Sequence, residues 1–301
     1  MRVVVTGREG QVARALAERA AAAGATVIAV GRPELDLERP QTIAPALAVA
    51  RPDIVINAAA HTAVDLAESE EARAFAINAI GAGAVATAAA ALGVPVIQIS
   101  TDYVFEGAAP RPYGEADATG PVSAYGRSKL AGEQAVAAAT PDHVILRTAW
   151  VYAPFGRNFV RTMLRLGEER EEVSVVSDQI GCPTSALDIA DGALAVARNL
   201  LQAPTQPALR GLFHMAARGE TDWAGFAQAI FAEAEAFGRR PVTVRRIATR
   251  DYPTPARRPA NSRLDGTKLE TEHGVRLPPW QGSLATCVAR LLQQETGERY
   301  P

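Results

Sequence analysis

Five short runs of apolar residues punctuate the first half of the chain at a regular spacing: RVVVTG (2–7), TVIAVG (26–31), DIVINAA (53–59), VPVIQIST (94–101) and HVILRTAW (143–150). Each is too short for a helix and rich in β-branched residues, and none alternates polar with apolar. Unbroken apolar runs of this kind fit strands buried on both faces, as in a parallel sheet covered by helices. Alanine-rich stretches lie between them, among them QVARALAERAAAAG (11–24) and EEARAFAINAIGAGAVATAAAALG (70–93). Alanine favours helix, and Gly24 and Gly93 stand where helices end. Strand and helix alternating at this interval predict a doubly wound, Rossmann-like α/β fold with a parallel sheet.

Beyond residue 150 the rhythm changes. Pro154, Gly156, Gly181, Pro183, Pro204 and Pro207 interrupt the chain more often, and only SALDIADGALAVARNLL (185–201) and TDWAGFAQAIFAEAEAFG (221–238) read as helices. The Pro-rich YPTPARRPANSRL (252–264) suits neither a helix nor a central strand. We therefore expect residues 1–150 to form a dinucleotide-binding domain. Residues 151–301 should form mainly a smaller α/β substrate lobe, with an approximate boundary across which segments interleave.

A formal net charge of −2 points to no polyanionic partner, so neither nucleic acid nor an anionic membrane is expected. No signal-peptide pattern opens the chain, and no stretch reaches the roughly 18 unbroken apolar residues of a membrane span, so a cytoplasmic protein is expected. Cys182 and Cys287 are far apart, and the four histidines form no metal-spaced pair, so no metal site is predicted.

The first strand runs straight into TGREGQVARAL, with glycines at 7 and 10 and Ala13 in a third small position. Gly7 permits the tight turn, Gly10 lets backbone approach a pyrophosphate, and the helix that follows points its first N–H groups at the anion. The second strand ends in Gly31-Arg32, where an NAD site would normally offer an acidic side chain to the ribose. A guanidinium suits a 2′-phosphate, so NADPH is the expected cofactor, with NADH left open. A solvated surface arginine would look the same in sequence. Asp36 and Leu37 stand where the adenine would lie. Small residues at Ala58, Ala59 and Ala60 end the third strand where a cofactor would pass, or simply pack tightly.

Of 31 basic residues only Lys129 and Lys268 are lysines, and Lys129 lies four residues after Tyr125 in SAYGRSKLAGE (123–133). On a helix the two share a face. An ammonium about 4 Å from a phenol, at an effective dielectric near 20, favours phenolate by roughly 4 kcal/mol before desolvation subtracts. Tuned in this way, Tyr125 could act as a general acid or base, and Lys129 could also grip ribose hydroxyls. The fourth strand aims Ser100, Thr101 and Asp102 at the same crevice, where Thr101 can bond a substrate carbonyl.

In this order, TGREGQV, NAAAHTAVDLAE, STDYVFEG, SAYGRSKLAGE, RTAWVYAPFGRNF, SDQIGCPT and RPANSRL resemble the extended short-chain dehydrogenase/reductases over nearly the whole chain. Within that family they are similar to the branch that reduces the C4 ketone of a dTDP-linked 4-keto-6-deoxy sugar to dTDP-L-rhamnose. The resemblance implies a catalytic set of Thr101, Tyr125 and Lys129. It places the cofactor against Gly10, Gln11, Val12, Asp36, Leu37, Ala60, His61, Thr62, Tyr125 and Lys129, and the sugar against Thr101, Asp102 and the indole of Trp150. Arg258, Asn261 and Arg263, with Gln179, are further candidates for the diphosphate or base. Dehydratases of similar fold carry Asp-Glu after the threonine. Here Asp102-Tyr103 follows, which fits hydride delivery and not elimination.

Some relatives are described as dimers bridged by Mg²⁺ through carboxylates on the first helix. That helix begins Val12-Ala13-Arg14-Ala15 here, with Glu18 one turn later, so a monomer or a homodimer without a metal bridge is expected. Two alternatives stay open: a related nucleotide-sugar reductase or epimerase, and a non-catalytic regulatory subunit resembling the β subunit of methionine adenosyltransferase.

Overall fold

A computed structural model describes residues 1–296. Five of its strands are those anticipated: β1 (Arg2–Thr6), β2 (Thr26–Val30), β3 (Ile54–Asn57), β4 (Val96–Thr101) and β5 (His143–Thr148). All pair in parallel, and a sixth strand, Gly211–His214, joins the free edge of β5. The sheet order is Gly211–His214, β5, β4, β3, β1, β2. The order reverses direction beside β1, and an open sheet of this kind leaves a crevice there, beyond the carboxyl ends of its strands. Val3, Val5, Ile54, Ile56, Ile97, Val144 and Leu146 lie in a single buried cluster, as their continuous apolar runs predict.

The sixth strand crosses the expected boundary at residue 150. So does the helix Ala186–Gln202, which packs with the helix Gln11–Arg19 in the same core. The chain thus leaves the first lobe near residue 150 and returns to finish its sheet. A second core holds Tyr152, from the short strand Val151–Tyr152, with Val160, Met163, Phe226, Phe231 and Trp280 from the helices Phe159–Glu169, Trp223–Glu235 and Trp280–Thr296. Short strands edge this lobe: Glu172–Val176 pairs with Thr243–Ile247, and Ile180–Gly181 lies between Thr221–Asp222 and Asn261–Ser262.

One sequence expectation needs correction. The helical stretch Glu71–Ala91 is long and apolar enough to cross a membrane by length and composition. Half of it is buried within the protein, against the helix Ala124–Ala139 and the sheet, which accounts for its composition as core. Its middle, Ala76–Gly81, is a π-helical turn that carries the buried Asn78. Gly132 lets the helix Ala124–Ala139 approach that turn, because a Cβ there would sit 2.0 Å from the Asn78 carbonyl oxygen.

Candidate active site

β4 ends at Thr101, and the chain turns at once into a 3₁₀ segment, Asp102–Val104. The Thr101 hydroxyl caps this turn by accepting the Tyr103 N–H at 3.2 Å. Its Oγ1 also lies 2.9 Å from Oδ1 of Asp102. Facing it is the helix Ala124–Ala139, started by Ser123, whose hydroxyl accepts the Gly126 N–H. Tyr125 stands in the first turn of this helix, with its ring edge-on to that of Tyr103 at 5.7 Å between centroids. Lys129 follows one turn later, buried at 4% exposure. Thr101, Tyr125 and Lys129 are therefore together at the carboxyl end of the sheet.

The electrostatics differ from the sequence expectation. Lys129 Nζ donates to the Ile99 carbonyl at 2.7 Å, and burial pushes its pKa down to about 8 against a smaller raising effect from Glu133. Tyr125 is pushed up from the ordinary phenol range, first by desolvation and further by the charge of Asp102, with the neighbouring Thr101 side chain pulling the other way. One donor of the ammonium is thus committed to a strand carbonyl, and the phenol is held protonated. Desolvation outweighs the charge effect that spacing alone suggested. A protonated phenol is the form a proton donor needs.

At the phosphate end, Gly7 takes φ of 89°, and its face meets Ala59, where an added Cβ would lie 3.4 Å from the Ala59 Cβ. Gly10 caps the helix Gln11–Arg19 without any side-chain bond, and a Cβ on it would meet nothing within 4 Å. The turn is therefore open at the start of that helix, where a pyrophosphate would meet the helix's first N–H groups, and it fits a dinucleotide. Val12 is buried beneath, while the Gln11 side chain accepts from Asn158 Nδ2 at 2.9 Å and so ties the turn to the second lobe.

Arg32 is exposed at the end of β2. Beside it lies Arg8, which sequence reasoning passed over: its Nη1 donates to the Arg32 carbonyl at 3.0 Å, and its Nη2 pairs with Glu34 at 2.9 Å. Asp36 folds back to accept the Glu38 N–H, and Leu37 is buried against Gly81. Ala58, Ala59 and Ala60 are half-buried along the crevice and Thr62 is exposed. The buried backbone of His61 is clamped by Asn78, which accepts from the His61 N–H at 2.8 Å and donates to its carbonyl at 3.0 Å. Asn78 also donates to Ser128 Oγ, and so fixes the third-strand end against the Tyr125 helix.

The substrate-side candidates divide. Asp102 is buried, with Oδ1 accepting from Thr101 and Oδ2 unpartnered. Trp150 takes φ of 47° and stacks on Trp223 at 3.6 Å between centroids. One indole face is therefore committed to a tryptophan rather than left for a sugar. Gly181 presses on the same ring, since a Cβ there would lie 2.4 Å from its Cε2. Arg258 Nη2 reaches across to Asp65 at 2.8 Å and joins the two lobes over the crevice.

Two candidates are given other uses. Asn261 donates to the Ala109 and Arg111 carbonyls and accepts twice from Arg263, so its amide has no capacity left for a ligand. Gln179 is buried and donates to Thr249 Oγ1 at 3.0 Å. Burial pushes the Cys182 thiol up to about 11, which leaves it an inert packing group.

Beneath the site lies a pair that the sequence quoted but did not reveal. Arg147 donates to both oxygens of Glu133, at 2.9 and 2.6 Å, and Ser100 Oγ donates to Oε1 at 2.5 Å. Glu133 and Arg147 are 5% and 3% exposed.

A doubly wound sheet, a glycine turn opening on an uncapped helix, and a phenol and lysine one turn apart at the crevice define a dinucleotide-dependent oxidoreductase of the short-chain type. More narrowly, the chain belongs to the family described as RmlD substrate binding domain, whose model matches residues 1–293. It is 51% identical over 292 residues to the dTDP-4-dehydrorhamnose reductase of Sinorhizobium fredii, covering 97% of this chain and 98% of that protein. Among solved structures it resembles a dTDP-4-dehydrorhamnose reductase of Clostridium acetobutylicum, with 38% identity and a TM-score of 0.87 over 97% and 100% of the two chains. It also resembles that of Bacillus anthracis in complex with NADP, with 35% identity and a TM-score of 0.86 over 97% and 99%.

Proposed function

We propose that this protein reduces the C4 ketone of dTDP-4-dehydro-6-deoxy-L-mannose to give dTDP-L-rhamnose, using NADPH. When bound, the reduced nicotinamide supplies the hydride. The observation that carries the reading is the meeting of the Tyr125 helix with the end of β4, where Lys129 bonds Ile99 and Tyr125 packs on Tyr103, two residues to either side of Thr101. In this reading Tyr125 gives the ketone oxygen its proton, and Thr101 orients both groups. Lys129 anchors the strand end through Ile99 and presents its remaining N–H groups to the ribose.

Gly7, Gly10, Gln11 and Val12 would hold the pyrophosphate by backbone, with Arg32 and Arg8 near the 2′-phosphate. Ala58, Ala59, Ala60, His61 and Thr62 would line the nicotinamide half, and Asp36 and Leu37 the adenine. Trp150 would present only its uncovered edge to the sugar. Arg258, already at the crevice mouth, is the group placed to meet the diphosphate. The keto-sugar substrate and a cytoplasmic setting go with the same reading.

The test is direct. Purified protein mixed with NADPH and dTDP-4-dehydrorhamnose should oxidise NADPH. Tyr125→Phe should slow this by about 10²- to 10⁴-fold while binding NADPH as before. No oxidation by the wild type, or equal rates in both proteins, would refute the reading.

A further inference from the structure

We propose that the hydrogen bond from Ser100 to Glu133 is a positioning contact of the reaction, which sets the height at which the Tyr125 helix meets the end of β4. The inference rests on the reductase reading above. Ser100 and Glu133 act through Tyr125, and neither is assigned a contact with sugar or cofactor.

In sequence Ser100 stands beside Thr101, and the strand was expected to aim both at the crevice. Side chains alternate along a strand, and the Ser100 hydroxyl turns instead to the helix Ala124–Ala139. It donates to Oε1 of Glu133 at 2.5 Å, and the residue is 4% exposed.

Three contacts hold this helix along its length. At its start Tyr125 packs edge-on against Tyr103, and a Cβ on Gly126 would sit 2.2 Å from the Tyr103 carbonyl oxygen. One turn on, Lys129 Nζ donates to the Ile99 carbonyl at 2.7 Å. A further turn on, Glu133 takes the Ser100 hydroxyl. Residues 125, 129 and 133 lie along one helix face, and about 12 Å of helix separates the first from the last. On the strand side, Thr101 lies between the residues so held, with Ile99 and Ser100 before it and Tyr103 after it.

The Glu133 contact is the stiffest of the three. Ring packing at Tyr103 limits approach but permits a small slide, and the ammonium of Lys129 rides on a flexible four-carbon stem. Glu133 is fixed from two strands at once. Arg147 donates to both its oxygens, at 2.9 and 2.6 Å, and a guanidinium fork of this kind sets the plane of the carboxylate. Ser100 and Arg147 are register partners on β4 and β5, and the next pair along is Thr101 with Thr148. The carboxylate is thus fastened to the sheet one rung below Thr101. A continuous helix carries that position to the phenol two turns away, where an error of about 1 Å can cost about 10²-fold in rate.

Ser100→Ala tests this, because it removes the strand contact and leaves the Arg147–Glu133 pair in place. With NADPH and dTDP-4-dehydrorhamnose, kcat should fall by roughly ten- to a hundredfold, while both KM values stay within about twofold of wild type. The Kd for NADPH, read by fluorescence, should be unchanged and reports an intact fold. The same substitution in Tyr125→Phe protein should change kcat by less than about twofold, since no phenol remains to be placed.

Three results would each overturn the proposal: kcat of Ser100→Ala within about twofold of wild type, a loss carried by KM or by weaker NADPH binding, or an equal fall in kcat with and without the phenol. The last is the pattern of a serine that serves the fold alone. Wild type that never oxidises NADPH sinks the reductase reading and this inference with it. Normal wild-type turnover with any of those three results sinks the inference alone.

Discussion

Removing one member of the Glu133–Arg147 pair should do more damage than removing both. Each side chain is almost fully buried, and the two contacts of 2.9 and 2.6 Å form a bidentate bridge. Taking charge centres about 4 Å apart and an effective dielectric near 20, the attraction is about 4 kcal/mol. Measured losses on breaking buried pairs fall in the same range, about 3–5 kcal/mol, because the surviving charge is stranded. Glu133→Gln leaves the Arg147 guanidinium against Phe105, its carbon 4.9 Å from the ring centroid, with no anion to answer it. Arg147→Met leaves Glu133 with the Ser100 hydroxyl and the Lys129 charge but no bidentate partner. Each should lower the unfolding free energy by about 3–5 kcal/mol, whereas Glu133→Leu with Arg147→Met should recover at least half of that, since neither member of the pair is left stranded. Urea unfolding followed by circular dichroism reads all three. Single variants within about 1 kcal/mol of wild type, or a double variant as poor as the sum of its parents, would refute the reasoning.

Three further outcomes are expected. Arg8→Ala and Arg32→Ala should each lower the preference for NADPH over NADH by roughly tenfold or more, as loss of a charge-assisted phosphate bond implies. Glu34→Gln, which frees Arg8, should raise that preference; KM ratios unchanged in all three would remove these residues from the 2′-phosphate site. Lys129 is driven from 10.5 to about 8 on burial. It therefore costs stability while charged, and the cost fades as pH rises from the folded value to the unfolded one. Lys129→Met should accordingly gain on wild type most near pH 7 and least near pH 10, in unfolding midpoints; a gap constant with pH would contradict the shift. Arg258→Ala breaks a partly exposed pair with Asp65, so stability should move by less than about 1 kcal/mol while KM for the sugar nucleotide rises; an unchanged KM would take Arg258 out of the substrate path.

The strands that proved easiest to read are those whose sequence is shaped by burial alone. β1 to β5 fall within two residues of their apolar runs at nearly every end, because a strand covered on both faces leaves no other pattern for its residues. Gly211–His214 was missed because GLFH is short and its partner, β5, lies more than sixty residues earlier. No local periodicity reports a pairing of that range. The Tyr125–Lys129 spacing was legible because helix geometry fixes it. What Lys129 touches was not, since Ile99 belongs to a strand thirty residues away. Arg8 was overlooked for a simpler reason: it sits between the glycines of the turn, which draw attention to the backbone and away from the side chains there.

Trp150 shows how a site residue can be found correctly and its use misjudged. A bulky side chain at φ of 47° pays about 1–2 kcal/mol for its backbone, so the surroundings must hold it there. Trp223 supplies a stacked face, and Gly181, lacking a Cβ, supplies the space. The indole that sequence reasoning set against a sugar is thus also the joint between the end of β5 and the second lobe. Trp223 begins that lobe's central helix, and Gly181 sits in its middle short strand, so three segments distant in sequence meet on one ring. Any substrate pressing on the edge of that ring presses on the joint as well, and the strained backbone is what ties the position of the second lobe to the end of the first.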